Sequence, residues 1–375
     1  MSGSDRVRYE ELLTAVGICV ASRIPFLLWG EPGAGKTAVV ESAAASGWHV
    51  ETLICSHYEP SDFAGLPVVS GAGTVTLAPP AWAARVADHI GPSIVFFDEW
   101  TTAAPAVQAA ALRPLTHGEV GALRLPKRVS FGAAANPADV AAAGWELAAP
   151  TANRFVHFDW QMPLEVFSES LVTGGWPRLN VPAEPLGGAA QQGAARALVA
   201  GFLRARGGQL SALPRDAASR GRAFPTPRTW EYTARLIALA RALHLSQGVQ
   251  RLLVHGAIGA ATGHEFLAWI AALDLPDPEQ LLADPDPLLL RGLRPDRVHV
   301  TLQAVLALVV SDPSPRRWTA AMAVCVMAAG EAGVDPAVPV VRALLRGEVR
   351  PDGADLPAGM GIFTTPLALA GLLQS

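Results

Sequence analysis

The chain has 375 residues, half of them hydrophobic and only 17% charged, with a formal net charge of −4. That length exceeds what one core serves comfortably, so two or more domains are expected, and the mild acidity excludes a broadly basic surface for nucleic acid. Three scattered cysteines, Cys19, Cys55 and Cys325, form no C-x-x-C pair, which excludes a disulfide framework or a cysteine zinc site and suits a reducing compartment. The opening Met1-Ser2-Gly3-Ser4-Asp5 lacks a basic-then-apolar signal pattern, and the late apolar run from Thr319 to Gly330 is too short to span a bilayer. A soluble, cytoplasmic protein without a membrane span is the expectation.

Arg8 to Ser22 places Leu12, Leu13, Val16 and Val20 at helical spacing. Ile24 to Trp29 reads as a short buried strand, and Ala38 to Ala45 as helix. Between them stands Gly30-Glu31-Pro32-Gly33-Ala34-Gly35-Lys36-Thr37, which satisfies G-x-x-x-x-G-K-[ST] at every fixed position. Glycines let the backbone fold closely around a phosphate chain. Amide N–H groups from about Gly33 to Thr37 can then point inward, reinforced by the positive end of the following helix. Lys36 supplies a point charge to the terminal phosphates, and the Thr37 hydroxyl is placed to hold Mg²⁺.

His49 to Cys55 alternates as a strand, and Pro67 to Leu77 reads as a hairpin around a Gly-rich turn. Ser93 to Phe97 is an apolar run that ends on Asp98-Glu99, the pattern of a strand buried on both faces. Ala104 to Leu115 is helical, Gly118 to Pro126 a second hairpin, and Val129 to Ala135 and Phe155 to Phe158 further strands. Strands separated by helical segments imply βαβ units and a mainly parallel, five-stranded sheet whose ligands gather at the carboxyl ends of the strands. Thereafter the pattern is helical: 165–172, 189–206, 228–245, 249–258, 265–273, 298–310, 317–329 and 339–345. Proline-rich connectors are expected over 176–193 and 276–287.

At the end of its strand, Asp98 is placed to hold the hydration shell of Mg²⁺, and Glu99 to polarise a water for attack on the γ-phosphate. Asn136, ending the Val129 strand in Ala-Ala-Ala-Asn-Pro, is placed to orient that water. Trp100, just after the acidic pair, is a candidate for the nucleotide edge. His57, His117 and His157 read as turn or core residues, and Arg215, Arg220 and Arg222 as a solvated basic loop.

The order of GEPGAGKT, IVFFDEW, AAANP, Ala152-Asn153-Arg154-Phe155 and Pro227-Arg228 resembles an AAA+ ATPase. The set looks most like the MoxR group of the helix-2-insert clade: both hairpins fall where that group carries insertions, and Tyr58 to Leu66 resembles its Pro-Ser-Asp-hydrophobic-x-Gly stretch. The resemblance covers roughly residues 5 to 245. It implies an AAA+ α/β ATPase core over 1–160, an all-helical lid over 161–258 and a C-terminal helical extension over 259–375. By it, residues 30–37 and Asp98 bind ATP, with Thr37 and Asp98 on Mg²⁺, partly through water. Asn136 is the sensor-1 residue, Arg154 the arginine finger offered to a neighbouring subunit, and Arg228 the sensor-2 arginine. Many relatives have Asp-Arg-Phe where this chain has Asn153 before Arg154, and Arg113 is a rival for a subunit contact.

The resemblance further implies a homo-oligomeric ring, in this class a hexamer, which remodels or matures client proteins as a chaperone, clients that often bear a von Willebrand A domain. Two other readings stand beside it. A nucleic-acid motor is weighed against by the acidic charge and the lack of interleaved basic and aromatic residues. A slow nucleotide-dependent scaffold or switch is weighed against by Glu99, Asn136 and Arg154 occurring together. A GTPase lacks its N-K-x-D segment here, and a small-molecule kinase has no use for so large a helical second half.

Overall fold

The structure, a computed structural model, describes residues 2–69, 71, 73–137, 144–182, 189–273 and 275–369. In chain order the strands are β1 (Phe26–Trp29), β2 (His49–Ile54), β3 (Leu66–Val69), β4 (Val75–Ala78), β5 (Ser93–Asp98), β6 (Glu119–Val120), β7 (Leu123–Arg124), β8 (Val129–Ala135) and β9 (Val156–Asp159). Five of them form one sheet in the order β2-β5-β8-β1-β9, with every neighbouring pair parallel. The register pairs Trp29 with Ala135 and Phe97 with Ala133. The chain therefore leaves β1, β5 and β8 at one edge of the sheet, on three adjacent strands. That edge carries the phosphate loop, the acidic pair and Asn136.

Both expected hairpins form, as β3–β4 and β6–β7; Ser70 and Ala72, at the first turn, lie outside the described residues. They touch each other: the Ala122 N–H donates to the Leu77 carbonyl at 2.8 Å. Gly121 makes this approach possible, since a Cβ there would stand 2.6 Å from the Leu77 oxygen. The β3–β4 ribbon leaves Leu66, Val69 and Val75 more than half exposed. Several short helices escaped the sequence reading, and two of them matter for the fold. One is Ala81–Asp88, directly after Pro79-Pro80; the other is Pro278–Ala283, inside the expected connector, where Asp277 caps the Glu279 N–H and Pro278 takes the first turn.

The chain divides into two compact units along lines other than the segment limits expected at 160 and 258. One unit comprises 1–185, 211–236 and 244–263; the other comprises 186–210, 237–243 and 264–375. The reason lies in close helix packing. In the second unit the helix Ala189–Ala205 lies against Pro295–Ser311, with Gly193 against Ala307 and Gly201 against Val300, where any Cβ would collide. Trp318, Met322, Val324 and Val341 centre the core of this unit, and the Trp318 indole donates to the Leu344 carbonyl at 2.8 Å. In the first unit Gln247–Ile258 packs on Ser2–Ser22 and on β9, where Gly256 meets the His157 backbone. Much of the segment expected as a lid thus belongs with the sheet. No helix among the described residues is long and apolar enough to cross a membrane.

Candidate active site

Gly33 and Gly35 adopt φ of 78° and 80°, the left-handed region that glycine enters without penalty. They wrap the loop around the Lys36 ammonium, which is buried and donates to the carbonyls of Gly30 at 2.7 Å and Glu31 at 2.8 Å and to Asn136 Oδ1 at 3.0 Å. Burial lowers the Lys36 pKa, and the charge of Asp98 opposes that shift. Thr37 Oγ1 donates to Asp98 Oδ2 at 2.6 Å, so a hydroxyl from the first turn of the helix Lys36–Glu41 and a carboxylate at the end of β5 already face one another. Such a pair suits a hard cation that prefers oxygen ligands and keeps several waters. The Lys36, Thr37, Asp98 and Asn136 group expected from sequence forms two hydrogen-bonded pairs on adjacent residues of the chain, Lys36 with Asn136 and Thr37 with Asp98; Glu31, Pro32 and Gly33 lie on the exposed rim and Ala34 is half-buried.

Glu99 is exposed and has φ of 54°, which is strained for a residue with a side chain. The turn is held by Thr102, whose hydroxyl donates to the Glu99 carbonyl at 2.7 Å, and by the Glu99 N–H on Asp98 Oδ1 at 2.9 Å. It separates the adjacent carboxylates: Asp98 meets Thr37, while Glu99 Oε2 accepts from Ser56 Oγ at 2.7 Å. Ser56, in the short turn Cys55–His57 after β2, is a site residue that the sequence gives no means of finding. Thr101 is another: its hydroxyl accepts from the Asn136 N–H and donates to the Asn136 carbonyl, both at 3.2 Å.

Trp100 is not at the nucleotide edge. The Glu99 turn sends it inward, where it is fully buried against Phe97 and Phe155. A different set of rings flanks the loop. A cavity of about 520 Å³ is lined by Tyr9, Gly35, Val39, Met162, Phe167 and Trp176. A larger cleft of about 680 Å³ shares Tyr9 and Met162 but is lined by Asp5, Arg8, Asp159 and Arg251, and is too charged for a flat heterocycle.

Arg154 and Arg228 lie close enough for their charges to act on one another. Burial, then the charge of Arg228, lowers the Arg154 pKa, and Tyr232 lies within the field of both. Arg154 donates to the Pro150 carbonyl. Asn153, the departure from Asp-Arg-Phe, is buried; its amide donates to the Phe224 carbonyl at 3.2 Å and its Oδ1 accepts from Thr226 at 2.8 Å. An aspartate there would turn an oxygen toward that carbonyl, so asparagine is the residue that ties Arg154 to the segment leading to Arg228. Arg113 pairs with Glu119 at 3.2 Å on the surface. Arg222 is no free loop charge: it pairs with Asp159 at 2.8 Å and lies 4.2 Å over the Trp29 ring.

His157 is a core residue, as its sequence setting suggested. It accepts from the Trp29 indole at 2.9 Å through Nδ1, while Nε2 faces the Ala152 carbonyl at 2.8 Å. Burial pushes its pKa down to about 4. The neutral form is therefore favoured by folding, and its contribution is complete above the ordinary histidine value and lost as the pH falls toward 4. Thermal unfolding is expected to show a loss of Tm between about pH 6.5 and pH 4 that flattens in His157→Gln. An unchanged slope in the variant would assign the loss to other groups.

Residues 25–155 match the family model of the AAA domain, dynein-related subfamily. A comparison with curated proteins finds no match. Among solved structures, one described as a "putative ATPase" from Cytophaga hutchinsonii shares 13% identity, covering 69% of this chain and 88% of that one at a TM-score of 0.45. That likeness is too slight to argue from. The α/β unit is an AAA domain, and the chain carrying it is an ATPase.

Proposed function

We propose that the protein is a ring-forming AAA+ ATPase of MoxR type that uses hydrolysis to remodel or mature a client protein. The observation that carries the shared-site reading is the juxtaposition of Arg154 and Arg228, neither of which is a hydrogen-bond partner of the loop cluster. Among the described residues, none of the hydrogen bonds of Lys36, Thr37, Asp98 or Asn136 reaches an arginine, whereas Arg154 and Arg228 sit together. Two neighbouring guanidiniums whose charges repel are a natural receptor for a polyanion. Presented to the next subunit, they engage its γ-phosphate as finger and sensor 2, and closed symmetry lets every site receive the same help.

In this reading ATP lies with its phosphates over Gly33 to Thr37 and its base in the cavity of Tyr9, Val39, Phe167 and Trp176. Thr37 and Asp98 would hold Mg²⁺, which would supply charge neutralisation to the phosphates. Glu99, released from Ser56, takes a proton from the attacking water, which Asn136 orients. The exposed apolar ribbon of β3–β4 carries no charged residue between Leu66 and Ala78, which favours a protein client over a nucleic-acid backbone. A von Willebrand A domain is the client class proposed, and a hexamer the ring.

The experiment is a mixing assay. Arg154→Ala and Lys36→Ala are each expected to be inactive alone. Mixed in equal amounts, about one interface in four joins an intact loop to an intact finger and should hydrolyse ATP. Silence at every ratio, in mixtures shown by size-exclusion chromatography to co-assemble, would remove the shared site. Capture of partners on Glu99→Gln with ATP then identifies the client.

A further inference from the structure

The phosphate loop has a flexible weak point. The Ala34–Gly35 peptide is followed by a glycine of positive φ, so on that side its plane can turn at little cost. A peptide plane is trans, with its C=O and N–H pointing in opposite directions. Whatever holds the Ala34 carbonyl therefore decides where the Gly35 N–H points. In this protein the holder is Trp160, whose indole Nε1–H donates to the Ala34 oxygen at 2.9 Å.

Trp160 is itself firmly placed. It directly follows β9 and is 3% exposed; its own N–H donates to the Trp29 carbonyl at 2.6 Å, and its ring meets Tyr9 edge-on at 5.3 Å. Its carbonyl lies so close to Gly30 that a Cβ there would stand 2.6 Å away. The ring is thus fixed from the strand next to β1, outside the loop. It grips the carbonyl whose reversal would swing the Gly35 N–H to the opposite side.

We propose that Trp160 is a positioning residue for nucleotide binding: its indole N–H locks the Ala34–Gly35 peptide so that the Gly35 N–H faces the phosphates. This rests on the reading of residues 30–37 as the ATP site. Trp160→Phe keeps a ring against Tyr9 and deletes the donor. Loss of one hydrogen bond predicts weaker ATP and ADP binding by roughly three- to tenfold in calorimetric titration. At saturating ATP, kcat should change by no more than about twofold, because ground and transition states share the loop. Hydrogen exchange of the ADP-bound protein should rise within 33–36 and nowhere else.

Trp82→Phe is the matched control, since Trp82 also donates a single indole bond, to the Asp62 carbonyl at 2.9 Å, far from the loop in sequence. It should leave both affinities unchanged. If wild type binds ATP and Trp160→Phe binds it equally well, the locking role is overturned and the site assignment stands. If Trp160→Phe and Trp82→Phe weaken binding alike, the effect is general destabilisation and the role is again overturned. Wild type that binds neither nucleotide overturns the site itself.

Discussion

Lys36→Ala is expected to weaken ATP binding by at least about 100-fold, the loss that follows from truncating one member of a desolvated, hydrogen-bonded charge pair. The alanine removes more than a charge. Lys36 is the donor that joins the Gly30 and Glu31 carbonyls to Asn136 on β8, so the variant also leaves those three oxygens without their shared partner. Lys36→Arg should not rescue binding, because the longer planar fork does not fit a cradle that places three oxygens within 3.0 Å of one nitrogen. Calorimetric titration with ATP and with ADP is the measurement. Affinity within about fivefold of wild type would show that the loop does not carry the phosphates.

Glu99→Gln is expected to lower kcat by about 100-fold or more while nucleotide affinity holds, the signature of a lost general base. Glutamine keeps the length and the oxygen that accepts from Ser56, so the turn at 99–102 should survive. The protein should then retain unhydrolysed ATP, visible when bound nucleotide is extracted and resolved by chromatography. Hydrolysis at the wild-type rate would move the base to another residue. Asp98 is the alternative least suited to the task, since its carboxylate already accepts from the Thr37 hydroxyl and from the Glu99 N–H.

The site was legible in sequence where a short run of residues must satisfy several demands at once. GEPGAGKT combines conformational freedom, charge and a hydroxyl in eight positions, and an apolar strand ending in two acids, common by itself, gains its meaning from that loop upstream. The sheet was legible because strands buried on both faces read as continuous apolar runs. Ser56 was not legible, since a serine in an exposed turn looks alike whether or not a carboxylate lies across from it. Trp100 was misplaced for a related reason: its position next to the acids suggested the cleft, but the left-handed Glu99 reverses the direction of the following side chain. The helix at 278–283 was hidden by its own cap, because Asp-Pro initiates helices and turns alike. The division into two units depends on glycines at 193 and 201 meeting a helix a hundred residues later, a pairing no local pattern announces.

The bond between Ala122 and Leu77 links the two ribbons at one point, and each ribbon leads back toward the candidate site. One arm, through residues 55–66, begins at the serine that holds Glu99; the other runs from β7 through 125–128 into β8, which Asn136 directly follows. A pull that shifts one ribbon farther than a hydrogen bond can stretch must either drag the other along or break that link. Force applied to one ribbon therefore passes to the other by way of the Leu77 link, and so reaches the chain both at Ser56 and ahead of Asn136.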